Sequence, residues 1–157
     1  MPDADLDKAD LRILRLLQDD GRLTNQELAA RVGLSPSHCW RRTRALEGRG
    51  LVRGYAALLD RRGLGLGVLA FVRVVIDGHS AAEAREFEEA VARLDEVVAC
   101  YAVAGDFDFL LQVAVGGLDD YAEFVVHTLR ALPRIKEMQT TFVLKEVKPP
   151  AGWPIPG

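Results

Sequence analysis

Six arginines, Arg31, Arg41, Arg42, Arg44, Arg49 and Arg53, face a single acid, Glu47, across residues 31–53. A guanidinium can grip a guanine edge with two hydrogen bonds or pair with a backbone phosphate, and a serine hydroxyl can serve either target. The chemistry open to this segment is therefore nucleic-acid binding. A solvated helix face has the same composition, so the placement of the side chains must decide between the two.

Placement follows from periodicity. Cys39, Thr43 and Leu46 fall at i, i+4 and i+7, one buried helix face. Ser37, Arg41 and Arg44 then point outward, with His38, Trp40 and Arg42 on the flanks. Ser35 can cap this helix and Pro36 suits its first position; Gly48 or Gly50 ends it. Cys39 reads as a small buried hydrophobe. Two earlier helices support it. The first carries Leu11, Ile13, Leu14, Leu16 and Leu17 as its apolar stripe, with Asp7 as cap and Asp10 in the first turn. The second opens on a capping box, Thr24 to Glu27, buries Leu28, Ala29 and Val32, and stops at Gly33. Two short helices joined by a tight glycine turn make a helix-turn-helix. In that motif the residues nearest the bases are those at the start of the second helix, here Ser35, Ser37 and His38, with Arg41, Arg42 and Arg44 behind them. For each arginine a phosphate contact remains the alternative to a base contact.

The net charge of −3 over 157 residues speaks against a broadly cationic surface. Position matters more than the mean, because residues 1–60 hold ten basic and nine acidic groups while residues 61–157 hold ten and fourteen. No stretch approaches the ~20 apolar residues of a membrane span. Met1-Pro2-Asp3-Ala4-Asp5 lacks the basic-then-apolar order of a signal peptide. Two cysteines, Cys39 and Cys100, make neither a disulfide framework nor a zinc site, so a cytoplasmic protein with reduced thiols is expected. The histidines, His38, His79 and His127, are scattered, and no nucleophile–base order or metal-ligand spacing appears. Neither an enzyme nor a cofactor is implied.

Beyond Gly50, residues 51–59 look extended and apolar, suited to a strand or wing. Gly63-Leu64-Gly65-Leu66-Gly67 reads as a flexible hinge. It is not a nucleotide loop, since a strand rather than a helix follows it. Val68 to Ile76 reads as a strand, and a helix capped by Ser80 and Glu83 comes next. Val97 to Val103 and Phe109 to Val115 form a hairpin around Gly105-Asp106-Phe107-Asp108. A helix from about Asp119 to Leu132 and a strand from Ile135 to Val147 complete a β-α-β-β-α-β order. The fold class is α+β: a winged helix-turn-helix domain, then a ferredoxin-like domain. A single sheet with helices on one face leaves its other face open, which predicts a homodimer. Trp153 sits in an irregular tail with Pro149, Pro150, Pro154 and Pro156.

These segments carry motifs in a recognisable order: Leu6-Asp7-Lys8-Ala9-Asp10-Leu11-Arg12-Ile13-Leu14, Glu27-Leu28-Ala29-Ala30-Arg31-Val32-Gly33-Leu34-Ser35-Pro36, Arg44-Ala45-Leu46-Glu47, Gly54-Tyr55, Gly105-Asp106-Phe107-Asp108-Phe109 and Leu132-Pro133. In them the chain resembles the Lrp/AsnC (feast/famine) transcription regulators over nearly its whole length. The resemblance implies a DNA-binding domain at 1–53, a connecting strand and hinge at 54–67, a domain for effector binding and oligomerisation at 68–148, and a Pro-rich tail at 149–157. It implies double-stranded DNA as partner, an amino acid as effector, and homodimers assembling further, often to octamers. A nucleoid-type DNA-organising protein without an effector is the alternative. Carried over by motif, Ala104, Gly105, Asp106 and Asp108 line an effector pocket with Thr140 facing from the last strand. A carboxylate can pair with an α-amino group, while a glycine N–H and a hydroxyl can hold an α-carboxylate. A solvated turn whose aspartates bond their own backbone is the competing reading. The sequence departs from the family at Thr43, where a branched aliphatic is usual and whose hydroxyl can bond a backbone carbonyl. It departs again at His38-Cys39-Trp40, in place of the commoner Pro-Cys-Leu.

Overall fold

A computed structural model describes residues 6–78, 80–149 and 152–156. The readings made on residues 1–5, His79 and Pro150 lie outside these. The chain divides into two compact units, one formed by residues 1–58 with 148–157 and the other by residues 59–147.

The first unit holds three helices, α1 (Lys8–Asp19), α2 (Asn25–Val32) and α3 (Pro36–Gly48). Each start is set by local hydrogen bonding. Asp7 accepts from the Ala9 and Asp10 amides, Thr24 from Glu27, and Ser35 from His38. Gly33 takes a left-handed φ of 79° between α2 and α3, a conformation that costs glycine little. Ile13, Leu28, Ala29, Val32, Cys39 and Leu46 form the core. Thr43 departs from expectation: its hydroxyl is buried and makes no hydrogen bond to a backbone carbonyl. Residues 51–59 form no strand, as no neighbouring segment of the described residues offers them a ladder.

One charge cluster locks α3 to α1. Arg42 reaches back with Nη1 2.7 Å from Asp7 Oδ2 and 2.9 Å from Asp10 Oδ1. Asp10 is buried, and its other oxygen accepts the Asp7 N–H at 3.4 Å. A buried carboxylate is tolerable only when paired in this way. The Asp10 backbone N–H, and after it the Arg42 guanidinium, hold the Asp7 carboxyl below its ordinary value.

The second unit is a four-stranded antiparallel sheet in the spatial order Val97–Ala102, Phe109–Val115, Val68–Ile76, Ile135–Phe142. Its elements are β1 (Val68–Ile76), α4 (Ala81–Val91), β2 (Val97–Ala102), β3 (Phe109–Val115), α5 (Leu118–His127) and β4 (Ile135–Phe142). Alternation sends Ala70, Val72, Val74 and Ile76 of β1 and Phe109, Leu111, Val113 and Val115 of β3 into one core with Phe87, Tyr121 and Phe124 from the helices. Phe87 and Phe109 meet at 4.7 Å between ring centroids. The opposite face presents Phe71, Val75, Leu110 and Tyr101, the last 55% exposed.

Three expectations are corrected here. The last strand stops at Phe142 instead of Val147, since β1 begins at Val68 and the final rung runs from Val143 N–H to the Leu69 carbonyl. The second helix ends at His127 and gives way to a 3-10 turn, Leu129–Ala131, which buries Leu129 ahead of Leu132-Pro133. The glycine run is a tight turn rather than a loose hinge. Leu64 N–H bonds the Asp60 carbonyl at 3.1 Å, Arg61 donates to the Leu66 carbonyl, and Gly67 bonds Gly116 at 3.1 Å.

The charge cluster makes a pH prediction. A carboxyl whose folded value is depressed stabilises the fold above its unfolded pKa, and the benefit disappears as pH falls through the folded value. Asp7→Asn keeps a good N-cap but removes the charge. The thermal midpoint of the variant should lie below that of the parent at neutral pH and merge with it as pH falls below the ordinary carboxylate range. A gap that is constant from neutral pH down through that range would show that the charge contributes nothing.

Candidate DNA interface and effector site

On α3 the rotation set by Cys39 and Leu46, both essentially fully buried, leaves Pro36, Ser37, His38, Trp40, Arg41 and Arg44 exposed. Ser37, His38, Trp40 and Arg41 line a shallow depression with Asn25 and Pro36. Asn25 ties the two helices of the motif together, its Nδ2 donating to the Pro36 carbonyl at 2.9 Å. The outward side chains thus sit on a helix start that is clamped to its neighbour.

The six expected DNA-facing residues divide by environment. Ser37, His38 and Arg41 stand in solvent on the outer face. Ser35 is used as the N-cap, its Oγ 3.4 Å from the His38 N and 3.3 Å from Ser37 Oγ. Arg44 keeps a 64% exposed side chain but pairs with Glu47 at 2.9 Å and lies over the Trp40 ring, 5.8 Å from its centroid. Arg42 turns away to Asp7 and Asp10. Its guanidinium is spent on holding α3, which separates it from the outward arginines.

Glu47, Trp40 and Tyr55 were not singled out as site residues by sequence. Glu47 accepts from Arg44 with one oxygen and from the Tyr55 hydroxyl with the other, at 3.1 Å. Burial first, and then this bond, push the Tyr55 phenol above its usual value. The i, i+3 spacing of Arg44 and Glu47 and the i, i+4 spacing of Trp40 and Arg44 were the available signals. Burial likewise raises the Cys39 thiol, which keeps it neutral and apolar.

In the second unit, Ala104, Gly105 and Asp106 form the exposed tip between β2 and β3. Gly105 has a φ of 154° with open space where a Cβ would lie, so the glycine serves the backbone conformation. Asp108 is already engaged. Its Oδ2 accepts the Ile76 N–H at 2.9 Å, and its own N–H donates to the Val74 carbonyl at 2.9 Å. The bond falls where β1 slips register against β4, between Val75 and Ile76, and supplies an acceptor to an amide at that irregularity. Thr140 points to the helical side of the sheet, its hydroxyl 2.6 Å from the Tyr121 hydroxyl. It sits on β4, across β1 from the hairpin that carries Asp106. One chain therefore does not bring the five residues together around a single cavity.

Among the described residues, no helix is long and apolar enough to cross a membrane, and no three His, Cys, Asp or Glu side chains are grouped to hold a metal ion.

Comparison with known proteins now bears on both units. Residues 6–53 match the winged helix-turn-helix DNA-binding profile, and residues 69–153 match the Lrp/AsnC ligand binding domain. The leucine-responsive regulatory protein of Escherichia coli K12 is 41% identical over 147 residues, spanning 94% of this chain and 90% of that protein. The leucine-responsive regulatory protein of Klebsiella pneumoniae matches to the same extent. A transcriptional regulator of Neisseria meningitidis, solved as its L-Met complex, is 43% identical with a TM-score of 0.91, covering 96% of this chain and 97% of that one. An AsnC family regulator of Agrobacterium tumefaciens superposes with a TM-score of 0.89 at 34% identity, over 95% of this chain and 97% of that one. With helix-turn-helix, four-stranded sheet and full-length relatives in agreement, this chain belongs to the Lrp/AsnC family of DNA-binding transcriptional regulators, which are not enzymes.

Proposed function

We propose that this regulator reads specific DNA sequences with the outer face of α3, and that an amino acid controls its DNA binding or assembly. The observation that carries the first half is the exposure of Arg41, with Ser37 and His38, on a helix whose rotation is locked. The outward position of Arg41 on the second helix of the motif supports its contact with a major-groove base edge, with Arg44 one turn further along. Arg42 supports the reading from behind, by orienting α3.

Support for the second half comes from the hairpin tip and from the L-Met complex of the Neisseria protein. Asp106 is an exposed carboxylate suited to an α-amino group, and the backbone around Gly105 offers an N–H for an α-carboxylate. Asp108 and Thr140 serve as framework, since each is held by a bond inside its own unit. A hairpin tip alone cannot enclose a ligand, so a second copy of the chain completes the site. The open sheet face with Phe71, Val75, Leu110 and Tyr101 gives that copy an apolar surface to cover, making a homodimer the first step towards a larger ring.

Arg41→Ala should weaken binding to a selected operator by roughly 1–3 kcal/mol and relax preference at one base position, measured by fluorescence anisotropy on operator and scrambled duplexes. Equal loss on both duplexes would assign Arg41 to phosphate. For the effector, the twenty amino acids are screened for thermal stabilisation, because a ligand that binds only the folded state raises the midpoint. Asp106→Ala should abolish the shift given by the active amino acid and leave basal DNA binding intact. Should the variant respond as the parent does, the hairpin tip is not the site. Should none of the twenty shift the parent, the DNA-organising role without an amino-acid effector takes precedence.

A further inference from the structure

The tail after β4 does not hang free. Lys148 onward packs with the first unit, where a groove between α1 and residues 51–55 is lined by Leu14, Leu17, Val52 and Tyr55 together with Trp153 and Ile155 of the tail. Gln18 holds the tail backbone at two points. The Trp153 N–H donates to Gln18 Oε1 at 2.8 Å, and Gln18 Nε2 donates to the Trp153 carbonyl at 3.0 Å. Arg15 donates to the Ile155 carbonyl at 3.5 Å and to the Pro156 carbonyl.

The tail is built for this seat. Gly152 has a φ of 88°, which L side chains rarely adopt, and a methyl group there would overlap the Gln18 side chain. Pro154 and Pro156 stiffen the segment, so little freedom is lost on docking. Gln18 holds main chain only, and half-buried Ile155 forms one wall of the apolar groove. Trp153 itself stays 78% exposed. The side-chain amide of Gln18, paired with both the N–H and the carbonyl of one residue, fixes the main chain of the tail at that point.

We propose that the groove beside α1 is the receptor for the chain's own C-terminal segment, Trp153–Pro156, and that its occupancy tethers the DNA-reading unit by a second connection. The chain already crosses between units at 58–59 and returns at 147–148. With the tail docked, the reading unit is attached through both crossings. When the tail is released, only the first restrains it. A unit on one flexible connection explores more volume, which lowers the effective concentration of the second reading helix once the first has bound. The tether therefore acts on paired half-sites and not on a single one. This inference rests on the proposed reading of DNA by α3.

Two variants test it: a chain ending at Lys148, and Gly152→Ala in the full chain. Each is titrated with duplexes carrying one half-site or two half-sites selected from random DNA by the parent protein. Both variants should bind the single half-site as the parent does and lose several-fold affinity on the paired site. The Trp153 amide should be protected from hydrogen exchange in the parent and unprotected in Gly152→Ala. Unchanged paired-site affinity overturns the tether. Equal loss on single and paired sites overturns it as well, by assigning the tail to the reading unit's own fold. A Trp153 amide that exchanges freely in the parent removes the docked tail altogether. Failure of the parent to bind any DNA would sink the DNA reading instead, and the exchange measurement would still decide the docking.

Discussion

What the first unit offers to DNA depends on the rotation of α3 about its own axis. Neighbouring helical residues are separated by about 100°, so a rotation of that size would exchange Arg41 for Arg42 on the outer face. Two interactions prevent this. Cys39 and Leu46 are driven into the core by burial, and the Arg42 guanidinium is drawn to Asp7 and Asp10 at the start of α1. Burial alone is non-directional and would tolerate some rotation. The ion pair is directional, and Asp10 is buried enough that leaving it unpaired is costly. Capping and clamping share the same groups, since Asp7 both starts α1 and holds Arg42. One cluster thus sets a helix start, a helix crossing and the face that is presented.

The second unit solves a comparable problem with its sheet. Placing β1 and β3 at the centre buries both on the helical side and leaves the hairpin between β2 and β3 projecting beyond the end of the sheet. Asp108 ties the base of that hairpin to β1 through the Ile76 amide, so the tip at Gly105-Asp106 grows from an anchored stem. Tyr121 and Thr140 do the same between α5 and β4, and the Tyr121 ring meets Phe142 edge-on at 5.0 Å. These polar contacts stiffen the frame and leave the tip and the uncovered sheet face as the surfaces on which a ligand or a second copy can act.

How far this was legible in the sequence depended on the range of each interaction. Helix starts were read from residues three apart: Thr24 with Glu27 and Ser80 with Glu83 form the capping boxes expected of them. The inward face of α3 followed from periodicity. The roles of Arg42, Asp108 and Thr140 did not, because their partners lie 32, 32 and 19 residues away, and nothing local marks the meeting. The glycine run after Arg62 reads as mobile on composition, yet the Arg61 guanidinium and Gly116 hold it in a turn. The sequence pattern runs the last strand on to Val147, whereas β4 stops at Phe142 because its length is set by where its neighbour begins. Prolines mark the tail as irregular, but its seat against α1 depends on Gln18, 135 residues earlier.

The modest net charge now has a structural meaning. Few arginines remain on the reading face once Arg42 is committed to α1 and Arg44 is shared with Glu47. On the proposed reading adjacent arginines on α3 do different work, Arg41 turned to DNA and Arg42 to Asp7 and Asp10. The salt dependence of DNA binding tests this most directly, because each arginine that meets a phosphate adds about one to the slope of log affinity against log salt. Arg42→Ala, measured at a temperature where it remains folded, should keep the slope of the parent protein for each bound subunit. If Arg42→Ala instead lowers that slope by about one, Arg42 contacts DNA and the division of labour on α3 is wrong.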